Sequence, residues 1–278
     1  MESRRMIEEI KKIQSQGKAI GAFNIFDYIS AKAVVSAAEE RKTAVILQTS
    51  VSTVKYYGAR GLREMLRYLM DASSVSVFLH LDHCKEKELA MQCVDAGWDS
   101  VMVDLSELPI NENMRITREV AEYAHRRGVL VEGELGRIKG VEEEAVEYEE
   151  RAPLDACIQY MKESRADLFA PAIGTAHGIY KERPEIDFEF CRKVSGVGIC
   201  PVVCHGGSGL PKEIVKQLIA SGITKINIST ALKQACCQGI KRYMATDSAA
   251  FSPVDMEREV SGLMKAEAGK YMDMFSGE

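Results

Sequence analysis

The sequence predicts an α/β protein built as a single (β/α)8 TIM barrel, one domain over residues 1–278, with an extra N-terminal helix and a C-terminal helical extension. Three observations predict it. Eight short apolar, β-branched runs recur along the chain, and a helical pattern follows each. Glycines stand where helices must end and strands begin, at Gly97, Gly128 and Gly222. The eight units share 278 residues, about 35 each, the size of one βα unit. An open doubly wound sheet is the competing arrangement, but residues Gly21–Asp27 carry no G-x-G-x-x-G after the first strand.

The elements follow in order. The opening MESRRMIEEIKKIQ reads as an amphipathic helix covering the barrel bottom. It lacks the apolar core of a signal peptide, so a cytoplasmic location is expected. The runs Ala19–Ile25, Thr43–Gln48, Val75–Leu81 and Ser100–Asp104 give the first four strands. Val129–Glu134, Asp167–Ile173, Cys200–His205 and Ile223–Ile228 give the rest. Near-continuous apolar strands suit a parallel sheet covered by helices. The segments Ile29–Arg41, Gly61–Ala72, Glu86–Ala96, Asn111–Arg127 and Pro211–Ala220 have the amphipathic period of those helices.

Composition narrows the function. With 46% hydrophobic residues the chain can bury a large core. Its 36 basic and 41 acidic residues leave a net charge of −5, no footprint for nucleic acid. No apolar run approaches the roughly 20 residues that span a bilayer, so no membrane partner is expected. Eight cysteines spread over the chain, with no C-x-x-C pair, read as thiols. Cys84, beside His83, reads as a small filler, since no base is specified for it. Six glutamates in Val141–Glu150 read as a solvated segment.

The informative pattern is where the polar residues fall. Barrel active sites are built at the C-terminal ends of the strands. Those ends read Asn24, Gln48, Asp82-His83, Asp104, Glu134, His205 and Asn227, with His177 four residues past the sixth strand. Three of only five histidines thus converge on one rim if the barrel closes. Three neutral imidazoles around an open position are the ligand set of a catalytic zinc. His125, in the last turn of a helix, reads as structural. His80 shares a strand face with Asp82 and either supports the site or packs in the core. The loops His205–Gly209 (HGGSG) and Asn227–Thr230 (NIST) each lead into a helix, an arrangement that cradles phosphate. Metal plus phosphate points to a phosphosugar substrate.

These residues resemble the class II, zinc-dependent ketose-bisphosphate aldolases, which act on fructose or tagatose 1,6-bisphosphate. The resemblance runs collinearly through AFN (Ala22–Asn24), HLDH (His80–His83), SVMVD (Ser100–Asp104) and EGELG (Glu132–Gly136), then through AIGTAHGIY (Ala172–Tyr180), HGGSG (His205–Gly209) and KINIST (Lys225–Thr230). It implies an aldehyde-lyase that cleaves such a bisphosphate, or a related ketose 1-phosphate, to dihydroxyacetone phosphate and an aldehyde. It implies Zn2+ on His83, His177 and His205, and a second metal or a monovalent cation near Asp104 and Glu134. Asp82 would move the hydroxyl proton and Glu142 would act as a mobile-loop acid. Asn24, Gln48, Ser50, Gly178, Gly206, Gly207, Ser208, Asn227, Ile228, Ser229 and Thr230 would bind substrate. A homodimer or homotetramer is implied, and a non-catalytic accessory subunit for phosphosugars is the alternative reading.

The chemistry fits those residue types. Retro-aldol cleavage leaves an enediolate, so charge on the carbonyl oxygen needs a Lewis acid. A base must take the C4 hydroxyl proton. Lys225 is the nearest candidate for a Schiff-base mechanism, which the metal set makes unnecessary. Three departures from the family pattern stand out: Cys84 where glycine is usual, Ala231 where glutamate is common, and no arginine in TDSAAFSPV (Thr246–Val254). Family members acting on bisphosphates carry an arginine there for the distal phosphate. Arg258 lies further on, in the next helix. A ketose 1-phosphate with a different far end is therefore the competing substrate.

Overall fold

Strand by strand, the barrel closes in sequence order. A computed structural model describes residues 2–140, 151–178, 180, 182–246 and 252–277. The elements of the first half are α1 (Glu2–Ser15), β1 (Ile20–Asn24), α2 (Tyr28–Arg41), β2 (Val45–Thr49), α3 (Val51–Tyr57), α4 (Ala59–Ala72), β3 (Val77–Cys84), α5 (Lys87–Asp95), β4 (Ser100–Val103) and α6 (Ile110–His125). Those of the second are β5 (Leu130–Leu135), β6 (Lys139–Gly140), α7 (Leu154–Glu163), β7 (Leu168–Pro171), β8 (Ala176–His177), α8 (Phe188–Gly196), β9 (Val202–Cys204), α9 (Lys212–Ala220), β10 (Ile223–Ile228), α10 (Thr230–Met244) and α11 (Pro253–Ser276). The closed barrel runs β1-β2-β3-β4-β5-β7-β9-β10 and back to β1, all parallel. β6 and β8 form a separate two-stranded ladder above it. No described helix is long and apolar enough to cross a membrane.

Local chemistry explains the element ends. Asp27 caps α2 by accepting from the Ser30 amide, and the Ser30 hydroxyl reciprocates by accepting from the Asp27 amide. Gly97, Gly128 and Gly222 all take positive φ, as the helix-to-strand exits require. Gly58, also at positive φ, separates α3 from α4.

Alternation along the strands sorts the interior into two levels. Outward residues such as Phe23, Leu47, Leu79, Val101, Val131 and Phe169 join the helices in the main core. The lower inward layer is apolar: Ile20, Ala22, Ile46, Phe78, Leu130 and Leu168 pack with Met6, Ile10 and Ile13 of α1. That helix closes the barrel bottom as the sequence predicts. The upper inward layer is polar, with Asn24, Gln48, His80, Asp82, Glu132, Glu134, Lys225 and Asn227 all buried. A polar layer resting on an apolar plug confines the chemistry to one end.

The C-terminal extension α11 packs against α10 and α2. Arg41 of α2 makes a bidentate pair with Asp273, at 2.5 and 2.9 Å. On α10, a Cβ at Gly239 would lie 2.7 Å from the Val260 Cα of α11. Gly239→Ala gains up to about 1 kcal/mol of helix propensity. Forcing the helices apart costs about 1–3 kcal/mol, and the obstacle is backbone, which cannot rotate away. The expected result is a net loss of about 1–2 kcal/mol, read as a lower denaturant midpoint at unchanged slope. An equal or higher midpoint would contradict this packing.

Candidate active site

The end of β3 is where the site begins. Neighbouring residues of a strand normally face opposite ways, yet Asp82 and His83 both serve the barrel mouth. The register against β4 slips between Leu81 and Cys84, and His83 sits there in the left-handed region at φ 46°. A β-bulge with its residue in that conformation re-aims a side chain. A non-glycine residue held there costs on the order of 1–3 kcal/mol, which the surrounding packing must over-determine.

His83, His177 and His205 come together as predicted. Their ring centroids lie 4.6 Å (His83–His205), 4.8 Å (His83–His177) and 6.0 Å (His177–His205) apart. Donor atoms of the three lie within 4.8 Å of one another. Outer hydrogen bonds fix which nitrogen of His83 and of His205 faces the centre. His83 donates from Nδ1 to Asp104 Oδ2 at 2.8 Å, and Asp104 in turn accepts from the Ser106 hydroxyl at 2.7 Å. His205 donates from Nε2 to Glu132 Oε1 at 2.9 Å. His83 Nε2 and His205 Nδ1 are then buried without a hydrogen-bond partner, and Glu134 Oε2 is a third such atom. Buried polar atoms are rarely left unpaired, and carboxylate-backed imidazoles are how proteins present nitrogen to a metal. The donor set fits a divalent cation.

Electrostatics agree. Burial works against charge on His83, but Asp82 and Asp104 beside it outweigh burial and hold its imidazole well above the usual range. That point of the cleft therefore favours positive charge. For His205, burial and the neighbouring His83 push the imidazole well below its ordinary value, leaving it neutral with a lone pair to give. Asp104 resists burial through its bond to His83 and stays well below the carboxylate range. Burial and the nearby Asp104 push Glu134 well above it. His83, Asp104 and Glu134 form a second candidate ligand group. It draws on the His83 nitrogen already engaged with Asp104, 3.9 Å from Glu134.

Asp82 sits among amide donors. Its Oδ2 accepts from Asn24 Nδ2 at 2.8 Å and Gln48 Nε2 at 3.3 Å, and its Oδ1 from Asn227 Nδ2 at 3.3 Å. Burial alone would raise its carboxyl, but His83, His205 and Lys225 around it, with the Asn24 amide, hold it below the usual range. Asp82 is thus an ionised carboxylate at the floor of the cleft.

The same cleft is lined by Asn24, Asp82, His177, Gly178, Gly206, Ser208, Asn227, Ser229 and Thr230. Gly206 has φ 68°, and a Cβ there would meet the Ala176 carbonyl at 2.4 Å, so only glycine permits this approach of the two loops. The Ser208 hydroxyl accepts from the Ser229 and Ala231 amides at the α10 N-terminus, at 3.2 and 3.3 Å. The Ser229 hydroxyl, buried and unpartnered, adds a further donor. Together they make an anion cradle.

Other predicted residues stand outside that lining. Gln48 orients Asn24, donating to its Oδ1 at 2.6 Å. Ser50 caps α3. Gly207 donates its amide to the Asn227 carbonyl, and Ile228 packs in the outer core. Arg258 pairs with Asp255 on the surface, at 2.8 Å. Glu142, and residues 247–251 of the TDSAAFSPV segment, lie outside the described residues.

Sequence reasoning missed four supporting residues. Glu132 holds His205 and was legible, since it alternates with Glu134 and must share its face. Lys225, fully buried, contacts Glu132 and Asn227 instead of facing the cleft. Tyr180 bridges two loops, donating to the Gly206 carbonyl and accepting from the Ala176 amide. Tyr271 of α11 accepts from the Gly209 amide. No local pattern announces either tyrosine.

Known proteins resemble the chain over most of its length. The profile of the family described as "Fructose-bisphosphate aldolase class-II" matches residues 4–278. The chain is 38% identical over 239 residues to a fructose-bisphosphate aldolase of Geobacillus stearothermophilus, covering 84% of this chain and 83% of the other. It is 36% identical over 253 residues to a 6-phospho-5-dehydro-2-deoxy-D-gluconate aldolase of Bacillus subtilis, covering 90% and 86%. Among solved structures it superimposes on the YdjI aldolase of Escherichia coli K12 with TM-score 0.86 at 28% identity, covering 97% and 96%.

Proposed function

The chain belongs to the class II fructose-bisphosphate aldolase family and is an aldolase, a lyase, and from that premise we propose that it cleaves a ketose 1-phosphate whose far end is a group other than phosphate. The products are dihydroxyacetone phosphate and an aldehyde. The observation that carries this reading is that the anion cradle and the Asp82 carboxylate share one cleft with His177. That cleft serves a phosphate on the ketone side. The relatives point the same way. A fructose bisphosphate has phosphate at both ends, whereas a 6-phospho-5-dehydro-gluconate has phosphate beside the oxidised carbon and carboxylate at the far end. What they share is the phospho-ketone end. No arginine occurs in Thr246–Val254 to receive a second phosphate.

His83, His177 and His205 hold the metal, Zn2+ by the family's usage, with Asp104 orienting His83 and Glu132 orienting His205. When bound, the ion supplies a Lewis acid that neutralises charge developing on the carbonyl oxygen. Gly178, Gly206, Ser208, Ser229 and Thr230 seat the phosphate and so fix the carbonyl toward the three histidines. Asp82, ionised and held by Asn24, Gln48 and Asn227, takes the C4 hydroxyl proton as the C3–C4 bond breaks, and returns it in the synthetic direction. Glu142 protonates the enediolate carbon. Glu134, with His83 and Asp104, offers a second cation position.

The test is release of dihydroxyacetone phosphate from fructose 1-phosphate, 6-phospho-5-dehydro-2-deoxygluconate, and fructose and tagatose 1,6-bisphosphates. The expected kcat/KM on the better substrate without a distal phosphate exceeds that on either bisphosphate by at least about tenfold, some 1.4 kcal/mol of discrimination. A preference for a bisphosphate overturns the assignment.

A further inference from the structure

Beneath the cleft lies a buried charged pair that no step of the cleavage uses. Glu132 and Lys225 are both fully buried, with Lys225 Nζ 2.9 Å from Glu132 Oε2, an ion pair off the line of a hydrogen bond. Each partner also has a second task. Glu132 uses its other oxygen, Oε1, to accept from His205 Nε2 at 2.9 Å. Lys225 donates to Asn227 Oδ1 at 2.8 Å, and the Asn227 amide nitrogen then faces Asp82 Oδ1 at 3.3 Å. A continuous chain runs from His205 through Glu132, Lys225 and Asn227 to Asp82.

We propose that Lys225 is a positioning residue that sets the metal ligand His205 and the base Asp82 in one arrangement through Glu132 and Asn227. The proposal rests on the reading of the three histidines as metal ligands.

The reasoning follows from what each group can give or accept. An ammonium only donates, so Asn227 must turn its oxygen to Lys225. Its NH2 is thereby committed to Asp82, which as a carboxylate only accepts. Without the ammonium nothing prevents the amide from flipping and setting its oxygen against the base. On the other side, a carboxylate acceptor at Nε2 puts the His205 proton there and leaves Nδ1 to bind metal. The ammonium of Lys225 stands 2.9 Å from the second oxygen of Glu132, within a fully buried layer, and so holds that carboxylate in place. A buried ion pair is weak evidence for stability, since apolar residues of similar volume often serve as well. Its retention here is explained by direction. His80 packs beside the pair, its Nε2 3.8 Å from Glu132 Oε2 and its Nδ1 bonded to the Ser100 hydroxyl at 2.6 Å. It thus flanks the second oxygen of the carboxylate.

The test uses the full-length protein with Lys225→Met and with the double variant Glu132→Gln/Lys225→Met, which leaves no unpaired charge and so guards against simple unfolding. Zinc affinity is read by competition with a chromophoric chelator, and turnover is read at saturating zinc. Both variants should bind zinc about 10–100-fold more weakly. At saturating zinc, kcat should fall at least about tenfold with KM within twofold, because the base and not the phosphate cradle has lost its support. Lys225→Gln, which keeps a donor, should recover part of the kcat lost in Lys225→Met. The proposal is overturned if the double variant melts like the parent, holds zinc within twofold of it and turns over at the parental rate. A parent that binds no zinc overturns the metal reading itself, and this proposal with it. A zinc-binding parent matched by its variants overturns the proposal alone.

Discussion

Removing the metal with a chelator should lower dihydroxyacetone phosphate release by at least about 10⁴-fold, and added zinc should restore it. The size follows from the chemistry. Lewis-acid stabilisation of a developing charge is worth several kcal/mol, and each 1.36 kcal/mol is tenfold in rate. Among the described residues, nothing else at the barrel mouth replaces it. The one buried ammonium of the upper layer, Lys225, is held by Glu132 and Asn227 and is fully buried, so it has no path to a substrate carbonyl. The same geometry argues that borohydride with substrate will leave activity intact. Metal content measured beside rate makes the result decisive. Full turnover in protein stripped of metal, or loss of turnover to borohydride, would replace the metal mechanism with a Schiff base on Lys225.

The barrel was legible because its signal is repeated. Eight apolar runs in register with eight helical patterns leave little freedom, and every barrel strand falls within a predicted run except where β2 adds Thr49, β5 adds Leu135 and β3 extends to Cys84. The extension of β3 is informative. A bulge at His83 lets pairing continue past the polar residues that mark a strand end, and no hydrophobic period encodes it. The two-residue strands β6 and β8 were illegible for a simpler reason. Two residues carry no periodicity, and their pairing depends on loops meeting above the barrel.

The site divides in the same way. Residues that end strands were legible, since closure of the barrel alone brings Asn24, Asp82, His83, His205 and Asn227 to one rim. Residues one layer down were only partly so: the face of Glu132 follows from Glu134, but the task of Lys225 does not. Lys225 sits inside an apolar strand, where a lone lysine suggests a reactive amine. Only the structure shows Glu132 and Asn227 waiting for it. Tyr180 and Tyr271 act across 26 and 62 residues of sequence, through hydroxyls that secure the glycine loop.

Asp82→Ala should lower kcat by about 10²–10⁴-fold, the usual contribution of a positioned base, while zinc content stays at the parental level. The separation of these two effects is the point of the experiment. Asp82 lies close to the metal set, with Oδ1 4.0 Å from His83 Nε2, so a ligand role and a base role both need to be weighed. Its hydrogen bonds decide between them. Both oxygens are taken by amides, Asn24 and Gln48 on one and Asn227 on the other, an arrangement that keeps the carboxylate charged and faces it into the cleft. A ligand would spend a lone pair on the ion. His83 and His205, by contrast, have their outward nitrogens held and their inner ones unpartnered. Removing Asp82 therefore takes away the proton acceptor and leaves the ligands standing. KM should change little, because the phosphate cradle at Ser208, Ser229 and Thr230 is built from other elements. Wild-type kcat in Asp82→Ala would move the base elsewhere, and loss of zinc along with rate would make Asp82 part of the metal site.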